Sequence, residues 1–369
     1  MTSVAFHADQ LFYRIPGGIG TYVRELLPEL AAADPSLDVT VFHARFPGSV
    51  PPEVTPFRRV ELDRSIRTLY PSWNLLGTPA LPPPVAEQDV VHAPSVASVP
   101  PAAPGQRLVV TVHDMAFRVF PSLFPPAWRA LFRTGLRRAA RRADAVIAVS
   151  RSTATDLVRL ARIDPTRLHV VPLASSLPAW EMDPEPVLER MKIPRPYLLF
   201  VGTLEPRKNL VRLIRAYRRA AVRIPHALVL TGPLGWRSKR LHRELALPGP
   251  GRIVVTGAVP PEALDALYRG AGAFAYPSLY EGFGLPVLEA MSRGVPTLIA
   301  DAASLPEVAG EAALRVDPRS VRSIGEGIER LVGDRDLAER LGATGRDRAA
   351  LYSWEQTARM TLKVYQQLT

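Results

Sequence analysis

The sequence contains no cysteine. That excludes disulfides, thiolate metal sites and thiol nucleophiles, and suits a reducing compartment. No apolar run approaches the roughly 20 residues that a membrane-spanning helix needs. The opening MTSVAFHADQ lacks the basic start and long apolar core of a secretory signal. These absences point to a cytoplasmic protein, dissolved or peripheral at the inner face of a membrane. No clear D-x-D pair suggests a metal site, and no G-x-G-x-x-G fingerprint supports a dinucleotide dehydrogenase. Lysine is scarce: only Lys192, Lys208, Lys239 and Lys363 among 46 basic residues. Acid is outnumbered, leaving a net charge of +11. Such a balance invites an anionic partner. Without a helix-turn-helix, zinc finger or RNA-binding aromatic motif, that partner is not expected to be nucleic acid. Abundant arginine, alanine and proline also read as the drift of a GC-rich genome.

What is present is an alternation. Strand-like apolar runs fall near 3–8, 38–43, 89–92, 107–112, 145–149 and 168–172, then near 197–201, 227–231, 252–256, 272–276, 296–300 and 313–316. Helical stretches separate them, which predicts an α/β protein with parallel sheets covered on both faces. At 369 residues the chain accommodates two Rossmann-like domains. Expected boundaries are 1–175, a proline-rich linker over 176–195, 196–351, and a final helix over 352–369 that crosses back to the first domain. Ligands of open parallel sheets bind at the carboxyl ends of strands. Two such domains facing each other would form a cleft.

Residues 272–301 read as strand, tight loop, helix, turn and strand. Glu281-Gly282-Phe283-Gly284 forms the loop, Pro286 suits the first helical turn, and Gly294 with Pro296 ends the helix. Amides near 283–287 at a helix N-terminus make an anion site. The carboxylates Glu281 and Glu289 beside it suit hydroxyl groups. Phosphate plus hydroxyls describes a sugar nucleotide, although dipole-complementing acids alone would give the same spacing. Arg207 and Lys208 follow strand 197–201 at a turn, where they are placed to neutralise a diphosphate. Thr231-Gly232 ends strand 227–231. Gly17 and Gly18 precede a helix expected from about Thr21, a weak phosphate-loop signal, with Arg14 just upstream. His113 ends strand 107–112. Residues 57–82 are poorly patterned but mix basic and aromatic character. A helix over 125–143 carries an apolar stripe of Trp128, Leu131, Phe132, Leu136 and Ala139 among arginines. Such a helix packs on its own sheet or lies on anionic lipid.

The segment EGFGLPVLEAMSRGVP, with Glu281 and Glu289 eight positions apart, resembles the signature of family 4 retaining glycosyltransferases. VGTLEPRKN (201–209), LTGPLGW (230–236), SLPEVAG (304–310) and YSWEQTA (352–358) are similar to further blocks in the family's order. The resemblance implies the GT-B fold, a nucleotide-sugar donor and no metal or other cofactor. It implies that Arg207, Lys208, Gly17 and Gly18 meet the donor diphosphate or sugar. Glu289 would hold the ribose, Glu281 the sugar hydroxyls, and Thr231, Gly232, Phe283, Gly284 and Leu285 would line the donor site. The segment around His113 is similar to the one whose histidine lies against the donor sugar. GTLEPRKN and SLPEVAG are most similar to mannosyltransferases, so GDP-mannose is the expected donor, with UDP-glucose and UDP-N-acetylglucosamine as alternatives. The expected acceptor is a hydroxyl of a glycan, a lipid carrier or a small molecule. A nucleotide-sugar epimerase and a non-catalytic nucleotide-sugar-binding protein are the rival readings.

Overall fold

The computed structural model describes residues 2–13 and 17–369; Arg14 lies outside the described residues. The chain divides into two compact units, Met1–Leu173 with Ser353–Thr369, and Ala174–Tyr352.

The first unit holds seven parallel strands: β1 (Ser3–His7), β2 (Asp38–His43), β3 (Arg58–Glu61), β4 (Val90–Ala93), β5 (Arg107–Val112), β6 (Ala145–Ala148) and β7 (Leu168–Val170). Their order is β3-β2-β1-β4-β5-β6-β7. The central strands are apolar on both faces because helices cover both sides; β4 and β6 are buried at every position. β3 was hidden in the unpatterned 57–82 stretch. It is an edge strand whose Arg58, Arg59 and Glu61 are exposed, so it carries no core pattern. The helix Ile66–Leu76 follows it and buries Leu69, Tyr70 and Trp73.

The second unit holds β8 (Tyr197–Val201), β9 (Ala227–Thr231), β10 (Ile253–Gly257), β11 (Ala273–Tyr276), β12 (Thr297–Ala300) and β13 (Leu314–Val316). Its order is β10-β9-β8-β11-β12-β13, again all parallel. In each sheet the strand order reverses beside the first strand, between β1 and β4 and between β8 and β11. Those are the switch points where doubly wound sheets bind ligands.

The stretch expected as a linker belongs to the second unit. It carries a helix, Glu185–Arg190, that buries Val187 and Leu188. Arg293 Nη2 donates to the carbonyls of Leu177 and Pro178, both at 2.7 Å, and Arg269 Nη1 donates to that of Trp180 at 2.6 Å. Buried Asp265 orients Arg293 through Nε at 3.0 Å. The final helix, Trp354–Gln366, lies against the helix Gly17–Ala33 in the first unit. Its Tyr365 hydroxyl meets His92 Nδ1 at 2.5 Å, and His92 Nε2 meets Thr111 Oγ1 at 2.8 Å.

The basic helix is Pro126–Arg142. It buries Gly135, Leu136 and Ala139, but Trp128 does not join the expected apolar stripe and is 48% exposed. Gly135 lets the helix close on the loop after β4: a Cβ there would lie 1.8 Å from the Val96 carbonyl oxygen. Gly135→Ala is therefore expected to destabilise the first unit by about 2–3 kcal/mol through overpacking. Urea unfolding followed by tryptophan fluorescence measures this, and an unchanged midpoint would show that the helix moves aside.

Candidate active site

Two glycines open the path from sheet to site in the second unit. Gly202 and Gly232, at the ends of β8 and β9, have φ of 144° and 137°. A Cβ on Gly232 would stand 2.2 Å from the Gly202 carbonyl oxygen, so only glycine permits this approach. The two loops then run on together, with Leu204 N donating to Pro233 O at 2.8 Å. Thr231 is buried within β9 and its hydroxyl accepts from Thr256 Oγ1 at 3.2 Å, so its side chain supports the sheet end.

The loop after β8 enters a tight turn over Pro206–Lys208, and Asn209 closes it with φ of 63°. Asn209 Nδ2 donates to the carbonyls of Pro277, at 2.9 Å, and Pro318, at 2.7 Å. Leu279 N donates to Arg207 O at 2.9 Å. The loops after β8 and β11 are thus tied together at the switch point.

Four charged side chains meet there. Glu281 Oε2 accepts from Arg207 Nη1 and Glu281 Oε1 accepts from Lys208 Nζ, both at 2.7 Å. Arg207 also donates through Nη1 to Tyr280 O at 2.9 Å, and through Nη2 and Nε to Glu205 Oε1 at 2.8 and 3.1 Å. Lys208 Nζ donates to the Tyr276 hydroxyl at 2.6 Å. All four ionic side chains are at most 13% exposed. Burial opposes the Glu281 charge, but Arg207 and Lys208 outweigh it and hold the carboxyl down to about 2. Burial lowers Lys208 and raises Glu205, each against its charged partners.

The helix Leu285–Ser292 begins from Gly284, whose φ is 118°. Ser304 Oγ holds the preceding loop through Glu281 O at 2.9 Å and Phe283 O at 2.7 Å. Phe283 is buried, edge-on to Tyr352. Leu285 and Glu289 are half-buried. Not every amide expected to face a ligand does so: that of Val287 closes on Gly284 O at 2.9 Å. Glu289 Oε2 accepts from the Tyr268 hydroxyl at 2.8 Å, and burial raises its carboxyl despite that bond.

The remaining candidates lie in the first unit. His113 follows β5 and donates from Nε2 to Pro94 O at 2.9 Å, with the Tyr22 ring edge-on to it. Burial lowers His113 to about 4, so its ring is neutral at pH 7. Gly17 and Gly18 do not form a loop before a helix at Thr21; the helix starts at Gly17, and both glycines are exposed with open space where a Cβ would sit. The sequence reasoning missed Glu205, Asn209, Tyr268, Tyr276 and Ser304. An acid two residues before an adjacent Arg-Lys pair was the one available signal, for Glu205.

Two doubly wound units, each an all-parallel sheet with its own switch point, are the architecture of the GT-B fold. Residues 16–174 match the description Glycosyltransferase Family 4, and residues 189–348 match Glycosyl transferases group 1. The chain is 31% identical to O-antigen chain mannosyltransferase B of Escherichia coli, over 99% of this chain and 100% of that protein. It belongs to the family 4 glycosyltransferases. Sucrose-phosphate synthase of Thermosynechococcus elongatus superposes with a TM-score of 0.75 at 22% identity, covering 100% of this chain and 99% of that one. HepE of Anabaena, in complex with UDP-glucose, superposes with a TM-score of 0.73 at 16% identity, covering 100% and 98%.

The buried carboxylate gives a pH signature. Glu281 is depressed from 4.5 to about 2, so its charge adds stability above pH 4.5 that is lost as pH falls toward 2. Across that window the unfolding free energy of the wild type is expected to fall more steeply than that of Glu281→Gln. Urea midpoints at stepped pH measure the difference, and parallel slopes would assign the acid transition to other carboxylates.

Proposed function

We propose that the protein transfers mannose from GDP-mannose to an acceptor hydroxyl, with retention of anomeric configuration. The observation that carries this reading is the buried Arg207–Lys208 pair, held by Glu281 at the switch point of the second sheet. The mannosyl donor rests on the likeness to the Escherichia coli mannosyltransferase. UDP-glucose is the competing donor, because HepE, of like fold, binds it.

In this reading the diphosphate displaces part of the Glu281 pairing and takes Arg207 and Lys208 as its counter-charges. Negative charge develops on that diphosphate as the glycosidic bond breaks, so stabilising it lowers the barrier. Glu281, released toward the sugar, accepts from its hydroxyls. Glu289 holds the ribose. The acceptor hydroxyl attacks from the face that the diphosphate leaves and passes its proton to the departing phosphate oxygen. Neutral His113, with Gly17 and Gly18, is assigned to the donor sugar and its phosphates. Thr231, Gly232, Phe283, Gly284 and Leu285 shape the donor site. No metal or other cofactor has a part in this scheme.

A donor panel tests it. GDP-mannose should raise the melting temperature above UDP-glucose, UDP-N-acetylglucosamine and ADP-glucose, and EDTA should leave turnover unchanged. Arg207→Ala should lower kcat/KM by about 10²–10³-fold, the scale of losing one charge-stabilising donor. Stabilisation by UDP-glucose alone would replace the donor, and stabilisation by none would remove the reading. Net inversion at the anomeric carbon of the product would remove retention.

A cytoplasmic membrane surface is the second element, favoured by one observation. Leu75 and Leu76 are 65% and 74% exposed at the end of the helix Ile66–Leu76, and a Cβ on the next residue, Gly77, would touch the Arg138 guanidinium at 2.8 Å. An apolar tip thus sits beside the basic helix that exposes Trp128, Arg133, Arg137 and Arg141. This combination suits anionic lipid, and the acceptor would then be lipid-linked. Replacing Arg133, Arg137 and Arg141 with Gln should weaken sedimentation with phosphatidylglycerol vesicles roughly 100-fold, at about 1 kcal/mol per charge. Equal sedimentation of both forms would remove the basic helix as a lipid-binding surface.

A further inference from the structure

Glu205 is the one acid of the switch-point cluster to which no role has been given. It is 4% exposed, and its Oε1 accepts two hydrogen bonds from Arg207 while its Oε2 is buried with no hydrogen-bond partner. A buried carboxylate oxygen left unbonded carries a desolvation cost that natural cores rarely leave standing. Gly235 makes that burial possible. A side chain there would press within 3.0 Å of Glu205 Cβ and 2.8 Å of Thr203 Cγ2. The loop after β9 therefore closes over Glu205.

Charge gives the position a meaning. Arg207 and Lys208 supply two positive charges, and Glu281 alone would leave the cluster at a net +1. Glu205 brings it to zero. It also grips Arg207 on the Nε and Nη2 edge, while Glu281 and the Tyr280 carbonyl take Nη1. The guanidinium plane is thereby fixed from both sides. A rotating arginine would lose the fixed fork that makes it suited to phosphate oxygens.

We propose that Glu205 is a positioning residue that fixes the guanidinium plane of Arg207 and offsets one positive charge, so that the nucleoside diphosphate product is released rather than retained. This rests on the donor reading given above. A glycosyltransferase that leans on fixed cations to stabilise a departing diphosphate must still let that diphosphate go. A site carrying an uncompensated positive charge would bind product and transition state alike, which does not raise turnover. The negative charge of Glu205, placed on the far edge of Arg207, weakens the hold on the free diphosphate. It leaves the arginine in place for the step in which charge develops.

The test compares Glu205→Gln with Glu205→Asp by calorimetric titration of GDP and of guanosine, together with steady-state kinetics on GDP-mannose. Gln retains an oxygen for Arg207 but removes the charge; Asp retains the charge. Glu205→Gln is expected to bind GDP at least about 10-fold more tightly; at an effective dielectric near 20 one unit charge has that effect from roughly 12 Å, and a larger one from closer. Its kcat should fall with KM, and product inhibition should deepen. Guanosine affinity should not change, and Glu205→Asp should stay within about 2-fold of wild type for GDP. Unchanged or weaker GDP binding by Glu205→Gln overturns the proposal, as do equal shifts in both variants. Failure of Glu205→Gln to fold also overturns it, since the charge would then serve stability. Failure of the wild type to bind any nucleoside diphosphate would instead strike at the donor reading itself.

Discussion

The Glu281 carboxylate, accepting from Arg207 on one oxygen and Lys208 on the other, is the constraint around which the second unit is arranged. Adjacent cations cannot be buried together without acids close by, because each would carry a desolvation cost of several kcal/mol. The acid comes from a loop more than seventy residues away in sequence, so the loops after β8 and β11 must meet. Asn209, reaching Pro277 and Pro318, and Ser304, reaching Glu281 and Phe283, hold them in register. These backbone tethers are neutral. They involve none of the ionic groups, so the frame of the two loops is held independently of the charged cluster.

The two sheets share the order of their first six strands but use their switch points differently. In the second unit the charges at the switch point remain partly reachable. In the first, His7 at the end of β1 and Asp9 just after it are 1% and 0% exposed and 2.9 Å apart, with the His7 ring against Phe42, Tyr70 and Trp73. Asp9 also accepts from the Ala44 amide, which braces the loop after β2. The same strand order therefore yields a sealed brace in one unit and a charged site in the other. Fold alone does not assign function.

Much of this was legible because buried parallel strands are written in continuous apolar residues. β5, β8 and β9 fall where the pattern places them. The Glu281–Glu289 loop and its glycines were readable because turn chemistry is local. What escaped was set by distance or by an edge. β3 shows polar residues because one side of it meets solvent. Tyr268 acts through a contact with Glu289, 21 residues away, that no local period encodes, while Glu205, two residues from Arg207, left only the spacing of an acid before the Arg-Lys pair. The linker looked patternless because its order comes from Arg269 and Arg293, about 90 to 115 residues further on. Thr231 ends β9 where the pattern places it, while the hydroxyl bond that it accepts from Thr256 could not be read from the sequence.

The final helix completes a unit whose other residues lie at the opposite end of the sequence. Tyr365 completes the buried His92–Thr111 chain, Trp354 lies near the Tyr22 ring, and Thr357 Oγ1 donates to Pro172 O at 2.8 Å, all within the first unit. The second unit is an insertion between Leu173 and Ser353. Residues 353–369 must therefore find residues 1–173 across the whole of the inserted unit, which makes closing the first unit the longer-range event of the two. A truncation of the tail would thus injure the part of the molecule that is made first.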